Sequence, residues 1–207
     1  MQSVFRKQWC LMAVTMIAMA LVPQMAQAAI VYSVTMNGAN ESPPANTPGF
    51  GSGFITFDTT ANTMRVQVTF SGLLGNTTAA HIHAATLDPG TGTAGVATQV
   101  PSFVGFPLGV TSGSFDTTFD MTLASSYRAA YITANGGTPA SAFNALLNAS
   151  ASGRAYFNIH TAAFPGGEIR GFLTAVPEPS SMALTGLIAG SALLYRRASR
   201  KQKVDKA

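Results

Sequence analysis

The sequence predicts an all-β fold, an antiparallel β-sandwich or barrel, for the central part of its 207 residues. Apolar and polar residues alternate strictly where Met64, Val66, Val68 and Phe70 are separated by polar neighbours, which is the pattern of a half-buried strand. Clusters of glycine, proline and asparagine follow such stretches at short intervals and mark turns. A hydrophobic content of 47% with 10% charged residues supplies enough apolar side chains for a core.

The alternating and β-branched stretches divide this region into seven predicted strands. The second and third are expected to form a hairpin across a turn at 58–62, and the last two a hairpin across the glycine-rich turn at 164–167. Short strands at this spacing are typical of antiparallel sandwiches and barrels. The predicted strands are 30–36, 50–57, 64–70, the segment around His81, 114–123, 153–161 and 168–175.

Two short helices are predicted between the fifth and sixth strands, at 125–133 and 139–147. In the second, Thr138 supplies a side-chain oxygen for the N-cap, and Pro139 takes the first helical position, where a missing N–H costs little. The predicted fold class is therefore all-β with one or two short helices inserted and, at the C-terminus, a hydrophobic helix.

The positive charge of the chain is confined to its two ends. The whole chain carries a net charge of +4, but residues 29–175 contain four arginines and six acidic residues, so that 4 − 6 = −2. A domain with a net negative charge has no basic surface for a phosphate backbone. Nucleic acid is therefore not an expected partner.

The first 28 residues have the three parts of a secretory signal peptide. Arg6 and Lys7 form the charged start, and the apolar run 10–22 has 13 residues, fewer than the roughly 20 that span a bilayer. The only cysteine, Cys10, lies inside this segment, so the domain after it has no disulfide and no thiolate metal site. The expected partners are the export machinery and signal peptidase, and an uncleaved N-terminal anchor is the alternative. The predicted cleavage site consists of Ala26, Ala28 and Ala29.

A second membrane-directed segment follows the last predicted strand. A Pro-Glu-Pro motif stops that strand, because proline removes a backbone donor. A 14-residue apolar stretch, 182–195, comes next and is followed by a basic cluster that would remain in the cytoplasm. An ordinary tail anchor and an amphipathic helix packed on the domain are the alternatives. The motif residues are Pro177, Glu178, Pro179, Arg196 and Arg197.

This order of features at 176–201 resembles the PEP-CTERM sorting signal of bacteria that make extracellular polysaccharide. The resemblance implies that an exosortase recognises and removes the tail after transient anchoring in the membrane. It also implies a Gram-negative-type envelope and delivery to the cell surface or exopolysaccharide matrix, which makes extracellular polysaccharide a candidate partner. Residues 202–207 form a short basic tail.

All three histidines of the chain lie in two strand-like segments. His81 and His83 point to the same face of one strand, because successive side chains of a strand alternate. His160 lies on a later strand, and the three imidazoles would meet on one face if the two strands were neighbours. Three neutral imidazoles at this spacing suit Cu or Zn. The alternative is that the histidines hydrogen-bond to loop backbone and stabilise the final hairpin.

Glu168 is the acidic residue nearest in sequence to His160. It is a candidate fourth metal ligand, or an acceptor that orients His81 or His83. Glu168 and Arg170 also share a face of the last predicted strand, which predicts an ion pair at the surface or a clasp on the turn. The three uses of this carboxylate remain open at the level of sequence.

Three motifs resemble the CHRD domain, which is named after chordin and is common in secreted bacterial proteins. The resemblance covers roughly residues 30–174 and agrees with a CHRD-like β domain at 29–175. It implies an immunoglobulin-like β-barrel similar to that of Cu/Zn superoxide dismutases, and no general biochemical activity follows from it. The motifs are Ala80-His81-Ile82-His83, Tyr156-Phe157-Asn158-Ile159-His160-Thr161 and Pro165-Gly166-Gly167-Glu168-Ile169-Arg170-Gly171.

The leading functional hypothesis is an exported, non-catalytic β-sandwich module of the cell surface or matrix. No nucleophile-elbow motif and no glycosidase-like carboxylate pair is recognisable in the sequence. A dismutase is excluded because three histidines without a bridging aspartate do not build a bimetallic centre. The alternative is a metal-binding or redox protein that uses the three histidines. A third hypothesis is carbohydrate binding through Tyr32, Phe50 and Phe54, although strand aromatics more often belong to the core.

Overall fold

The structure, a computed structural model, describes residues 29–177. Ala29 and Pro177, the first and last of these, belong to no strand or helix. No helix in this part of the chain has the length and apolar character needed to cross a membrane. The predictions that fall outside the described residues are the signal peptide with Ala26 and Ala28, the sorting-motif residues Glu178, Pro179, Arg196 and Arg197, the apolar stretch and the basic tail.

One antiparallel sheet of eight strands curves into a half-barrel, and two short helices accompany it. This confirms the predicted all-β class with inserted helices. In space the strands follow the order β4-β6-β7-β1-β2-β3-β5, and β8 pairs with β1 beside this path. The strands are β1 (Ile30–Asn37), β2 (Phe50–Asp58), β3 (Thr63–Ser71), β4 (Thr77–His83), β5 (Gly113–Asp120), β6 (Tyr156–Thr161), β7 (Ile169–Phe172) and β8 (Thr174–Ala175).

The β2–β3 hairpin is the longest regular pairing of the sheet. Its register runs without interruption from Phe50 opposite Ser71 to Asp58 opposite Thr63. The turn uses Asn62 at a φ of 53°, a left-handed conformation that asparagine tolerates. The apolar residues of β3 are buried and its polar residues face outwards, as the alternation predicts.

Two predicted strands differ from the observed ones at their C-terminal ends. The strand predicted at 114–123 ends at Asp120, because the Asp120 side chain accepts hydrogen bonds from the backbone and hydroxyl of Thr122 and so forms a turn. The strand predicted at 168–175 divides into β7 and β8, with the buried Leu173 between them. Both pieces pair with β1.

The two α-helices are α1 (Ala129–Ala134) and α2 (Pro139–Ala151). The prediction at 125–133 was partly wrong, because residues 124–126 form a separate 3₁₀ turn and Arg128 caps α1 in an extended conformation. The start of α2 is confirmed: Thr138 and Ser141 form a capping box with Pro139 at its first position. The helix continues past 147 because Ala149 and Ser150 are also buried.

The pairing of β4 with β6 is the feature of the sheet that positions the histidines. Ala79 lies opposite His160, and His83 lies opposite Tyr156. The long segment 84–112 follows β4 and packs beside it. Phe103 of this segment is buried, and the centroid of its ring lies 5.8 Å from that of Phe157 on β6. The segment therefore brings its backbone carbonyls next to the imidazoles.

Candidate metal centre

The three histidines lie together at the edge formed by β4 and β6. One ring nitrogen from each of His81, His83 and His160 lies within 4.8 Å of the other two. The closest approach is 3.0 Å, between the Nε2 atoms of His81 and His160. His81 and His83 are buried and His160 is half-buried. Within residues 29–177 this is the one cluster of three or more side chains with metal-binding atoms at such distances.

Each of the three imidazoles also contacts a backbone carbonyl oxygen through its Nδ1 atom. Nδ1 of His81 lies 3.1 Å from the carbonyl oxygen of Pro101, and Nδ1 of His83 lies 2.7 Å from that of Ala94. Nδ1 of His160 lies 2.9 Å from the carbonyl oxygen of Pro165. A carbonyl oxygen only accepts, so each Nδ1 carries a proton and donates it. Each Nε2 is therefore left with a lone pair.

The imidazoles are neutral at pH 7. Burial lowers the pKa of His81 to about 3, with further lowering from the neighbouring His83 and His160. Burial likewise lowers the pKa of His83 to about 4, against the opposing effect of its hydrogen bond to Ala94. The pKa of His160 is also lowered by burial. Neutral imidazole is the form that binds metals.

The three Nε2 atoms have no hydrogen-bond donor among themselves. With each ring proton on Nδ1, no hydrogen lies between the Nε2 atoms of His81 and His160, and two lone pairs face each other at 3.0 Å. Nε2 of His83 is buried and has no hydrogen-bond partner. Two nitrogens bound to one tetrahedral zinc at about 2.0–2.1 Å lie about 3.3 Å apart, a separation between the 3.0 Å of the His81–His160 pair and the 4.8 Å limit of the cluster.

Tyr156 holds His83 and its loop in place. Its ring stacks on the imidazole of His83 with centroids 4.7 Å apart and an angle of 5° between the planes. Its hydroxyl oxygen lies 3.3 Å from the backbone nitrogen of Ala94, the residue whose carbonyl accepts from His83. The guanidinium of Arg170 also lies over the Tyr156 ring, 4.7 Å from its centroid. These contacts fix the orientation of one ligand, as partners of metal-bound histidines do.

Glu168 does not belong to the histidine cluster, which corrects its expected roles as a ligand or as an acceptor for His81 or His83. Its side chain is fully buried, and its oxygens accept from the hydroxyls of Thr47 and Thr161 at 2.6 Å and from the backbone nitrogens of Leu74 and Gly75 at 2.6 and 3.2 Å. Burial raises its pKa, but these four hydrogen bonds more than offset that effect and lower it. The carboxylate therefore joins three loops.

The expected ion pair between Glu168 and Arg170 is also wrong. Nε of Arg170 lies 3.8 Å from Oε2 of Glu41, and both side chains are buried. Arg170 also donates to the carbonyl oxygens of Asn40 and Gly92. Burial raises the pKa of Glu41 to about 7, although Arg170 acts in the opposite direction. No sequence pattern indicates this pair, because Glu41 lies in a proline-rich loop that is distant from β7 along the chain.

The turn between β6 and β7 requires glycine at position 167. Gly167 has a φ of 128°, in the region that favours glycine, within the glycine-rich turn that the sequence predicts. A Cβ atom there would lie 2.7 Å from the side-chain oxygens of both Glu41 and Asn158. The hairpin that carries His160 therefore packs directly against the buried Glu41.

The comparison that decides the family covers most of this domain. The family model of the CHRD domain matches residues 32–173, a range that contains all three histidines and both carbonyl-bearing loops. The chain belongs to the CHRD domain family. No curated protein and no solved structure matches it. Membership indicates an extracellular β module, and the cluster of three histidines is an observation on this CHRD domain itself.

Proposed function

We propose that this CHRD domain is an exported module that binds one transition-metal ion, Zn or Cu, through His81, His83 and His160. The observation that carries the proposal is the common arrangement of the three rings. Every Nδ1 donates to a backbone carbonyl, and one ring nitrogen of each histidine lies within 4.8 Å of the other two. Carbonyl hydrogen bonds of this kind set the tautomer and orientation of metal-bound imidazoles.

This proposal includes both hypotheses that the sequence raises for the histidines, metal binding and hydrogen bonding to loop backbone. The histidines do hydrogen-bond to loop backbone, but only through Nδ1, which leaves Nε2 for a metal. A purely structural histidine has no need for a buried and unpartnered Nε2, because such an atom costs free energy. The unpartnered Nε2 of His83 favours metal binding over a structural role alone.

The proposal includes export and surface delivery, and it assigns no reaction. Its support is the signal peptide pattern at 1–28 and the PEP-CTERM-like order of features at 176–201. Signal peptidase and an exosortase would then act on the two ends, and the β domain would reach the cell surface or exopolysaccharide matrix. A module in that location meets metal ions outside the cytoplasm.

Intact mass and metal content of the protein recovered from its native envelope test both parts. We expect a chain that starts at Ala29, has lost the segment after the Pro-Glu-Pro motif, and holds about one Zn or Cu per molecule. A full-length chain with both ends intact would contradict export and sorting. A metal-free domain that also takes up no Zn or Cu on dialysis would contradict metal binding.

A further inference from the structure

The charge around the three imidazoles bears on which ion the site takes. Within residues 29–177 the cluster of metal-binding atoms contains no carboxylate. Two arginines lie close to the cluster: Arg170 lies over the Tyr156 ring, which stacks on His83, and the backbone of Arg128 bonds to Ala97 beside β4. Glu41 lies beside Arg170 and pairs with it, with Oε2 3.8 Å from Nε. No anionic ligand within the cluster would therefore offset the charge of a bound ion.

The position of Arg128 follows from the backbone around the site. Its N–H donates to the carbonyl oxygen of Ala97 at 3.2 Å, and Ala97 donates to Ile82, the residue between the two histidines of β4. Val96 forms a bridge with His83. Arg128 also lines a small cavity with Ala84 and Val96. Its side chain is exposed, so it adds positive charge next to the ligands without forming part of the core.

A divalent ion is disfavoured here relative to a monovalent one for two reasons. The cost of removing an ion from water grows with the square of its charge, so it is about four times larger for a dication in the same site. Repulsion by the nearby Arg128 is about twice as large for a dication. The sites that hold Zn²⁺ firmly with few ligands usually add a thiolate, a carboxylate or a bound hydroxide.

The number of ligands also favours a monovalent ion over a divalent one. Three nitrogen ligands complete the coordination of a cuprous ion, which is stable in a three-coordinate geometry. Zn²⁺ normally takes four ligands, and Cu²⁺ prefers a tetragonal arrangement. In the described part of the chain, no fourth metal-binding side chain lies with the three histidines.

We infer that the site takes copper in the cuprous state in preference to a divalent ion. The inference rests on the proposed metal-binding function and adds the identity and oxidation state of the ion.

The test is an anaerobic titration of the full-length chain with Cu⁺ against a chromogenic cuprous chelator, and separately with Zn²⁺ and Cu²⁺ against chelators for those ions. We expect one Cu⁺ per chain and an affinity for Cu⁺ at least about 100-fold above that for Zn²⁺. A chain in which all three histidines are alanine corrects for binding elsewhere. Equal or tighter binding of a divalent ion would overturn this inference and leave the proposed function standing. No specific binding of any of the three ions would overturn both.

Replacing Arg128 with glutamine tests the electrostatic cause. Loss of one nearby positive charge is expected to raise the affinity for Zn²⁺ more than that for Cu⁺. The ratio of the Cu⁺ affinity to the Zn²⁺ affinity should therefore fall roughly two- to five-fold. The control is Arg65→Gln, because Arg65 is also exposed but pairs with Asp116 on β5, across the sheet from the site. It should leave the ratio unchanged. An unchanged ratio in the Arg128 variant would overturn the inference, since the surrounding charge would not set the preference.

Discussion

Replacing Glu168 with alanine is expected to lower the free energy of unfolding by about 3–5 kcal/mol. The fully buried carboxylate accepts four hydrogen bonds, two from backbone N–H groups and two from threonine hydroxyls. Without it, the buried N–H group of Gly75 and the partly buried N–H group of Leu74 lose their acceptor, and a buried unpaired group costs about 1–3 kcal/mol. The loops at Thr47 and 73–75 would separate from the end of β6 at Thr161, and urea denaturation followed by circular dichroism measures the loss.

The matched control is Asp116→Ala, which removes an exposed carboxylate that also accepts several hydrogen bonds. Asp116 receives two from Arg65 and one from Gln67, yet half of its side chain is exposed. Exposed ion pairs contribute little, so this change should cost less than about 1 kcal/mol. Similar losses for the two variants would contradict a central structural role for Glu168.

Acid is expected to destabilise the metal-free protein as the pH falls below about 6.5. The folded-state pKa values of His81 and His83 are lowered to about 3 and about 4, so the unfolded chain takes up protons that the folded chain refuses. Stability from this source is fully present above the unfolded pKa and is lost as the pH falls. The slope is up to about 1.4 kcal/mol per pH unit for each imidazole between pH 6.5 and 4.

Glu41 contributes a smaller slope of the opposite sign. Its folded-state pKa is raised from 4.5 to about 7, so stability from this carboxyl is present at low pH and falls as the pH rises through that window. Three imidazoles outweigh one carboxyl, and the net effect of acid is destabilising. Urea midpoints between pH 7.5 and 4.5 measure the slope, and the His81→Gln/His83→Gln variant should lose most of it. An equally steep slope in that variant would show that groups other than His81 and His83 cause the loss of stability in acid.

Local pattern was enough to predict most of the secondary structure. Strict alternation in β3 fixed its buried face, and Thr138 with Pro139 fixed the start of α2. The ends of strands were less predictable where a side-chain hydrogen bond determines them. At Asp120 the carboxylate accepts from Thr122 and forms a turn, although apolar and polar residues continue to alternate there. Alternation reports which side of a strand is buried and carries no information about such local competition.

The candidate site was predictable only in part, for a physical reason that its residues illustrate. The spacing of His81 and His83 on one strand gives them a common face from sequence alone. Their proximity to His160 depends on the pairing of β4 with β6, which are far apart in the chain. The carbonyl groups of Ala94, Pro101 and Pro165 that set the tautomers have no signature in sequence, because every residue has a carbonyl group.

Glu168 shows why a charged residue near a histidine motif is easily misassigned. From sequence it is the acid closest to His160, and ligation is a reasonable prediction. The fold instead places the 73–75 loop over it, and two free backbone N–H groups with two hydroxyls satisfy the carboxylate completely. Which donors reach a carboxylate is a property of loop packing, and strand periodicity does not determine it.

X-ray absorption spectroscopy of the metal-loaded full-length chain tests the convergence of the three Nε2 atoms most directly. We expect three imidazole nitrogens at about 2.0 Å around a single zinc or cuprous ion. We expect two in the His160→Ala variant, which retains the pair on β4. A metal shell with fewer than three imidazoles in the unaltered chain, or the same shell in the His160→Ala variant, would contradict the central claim.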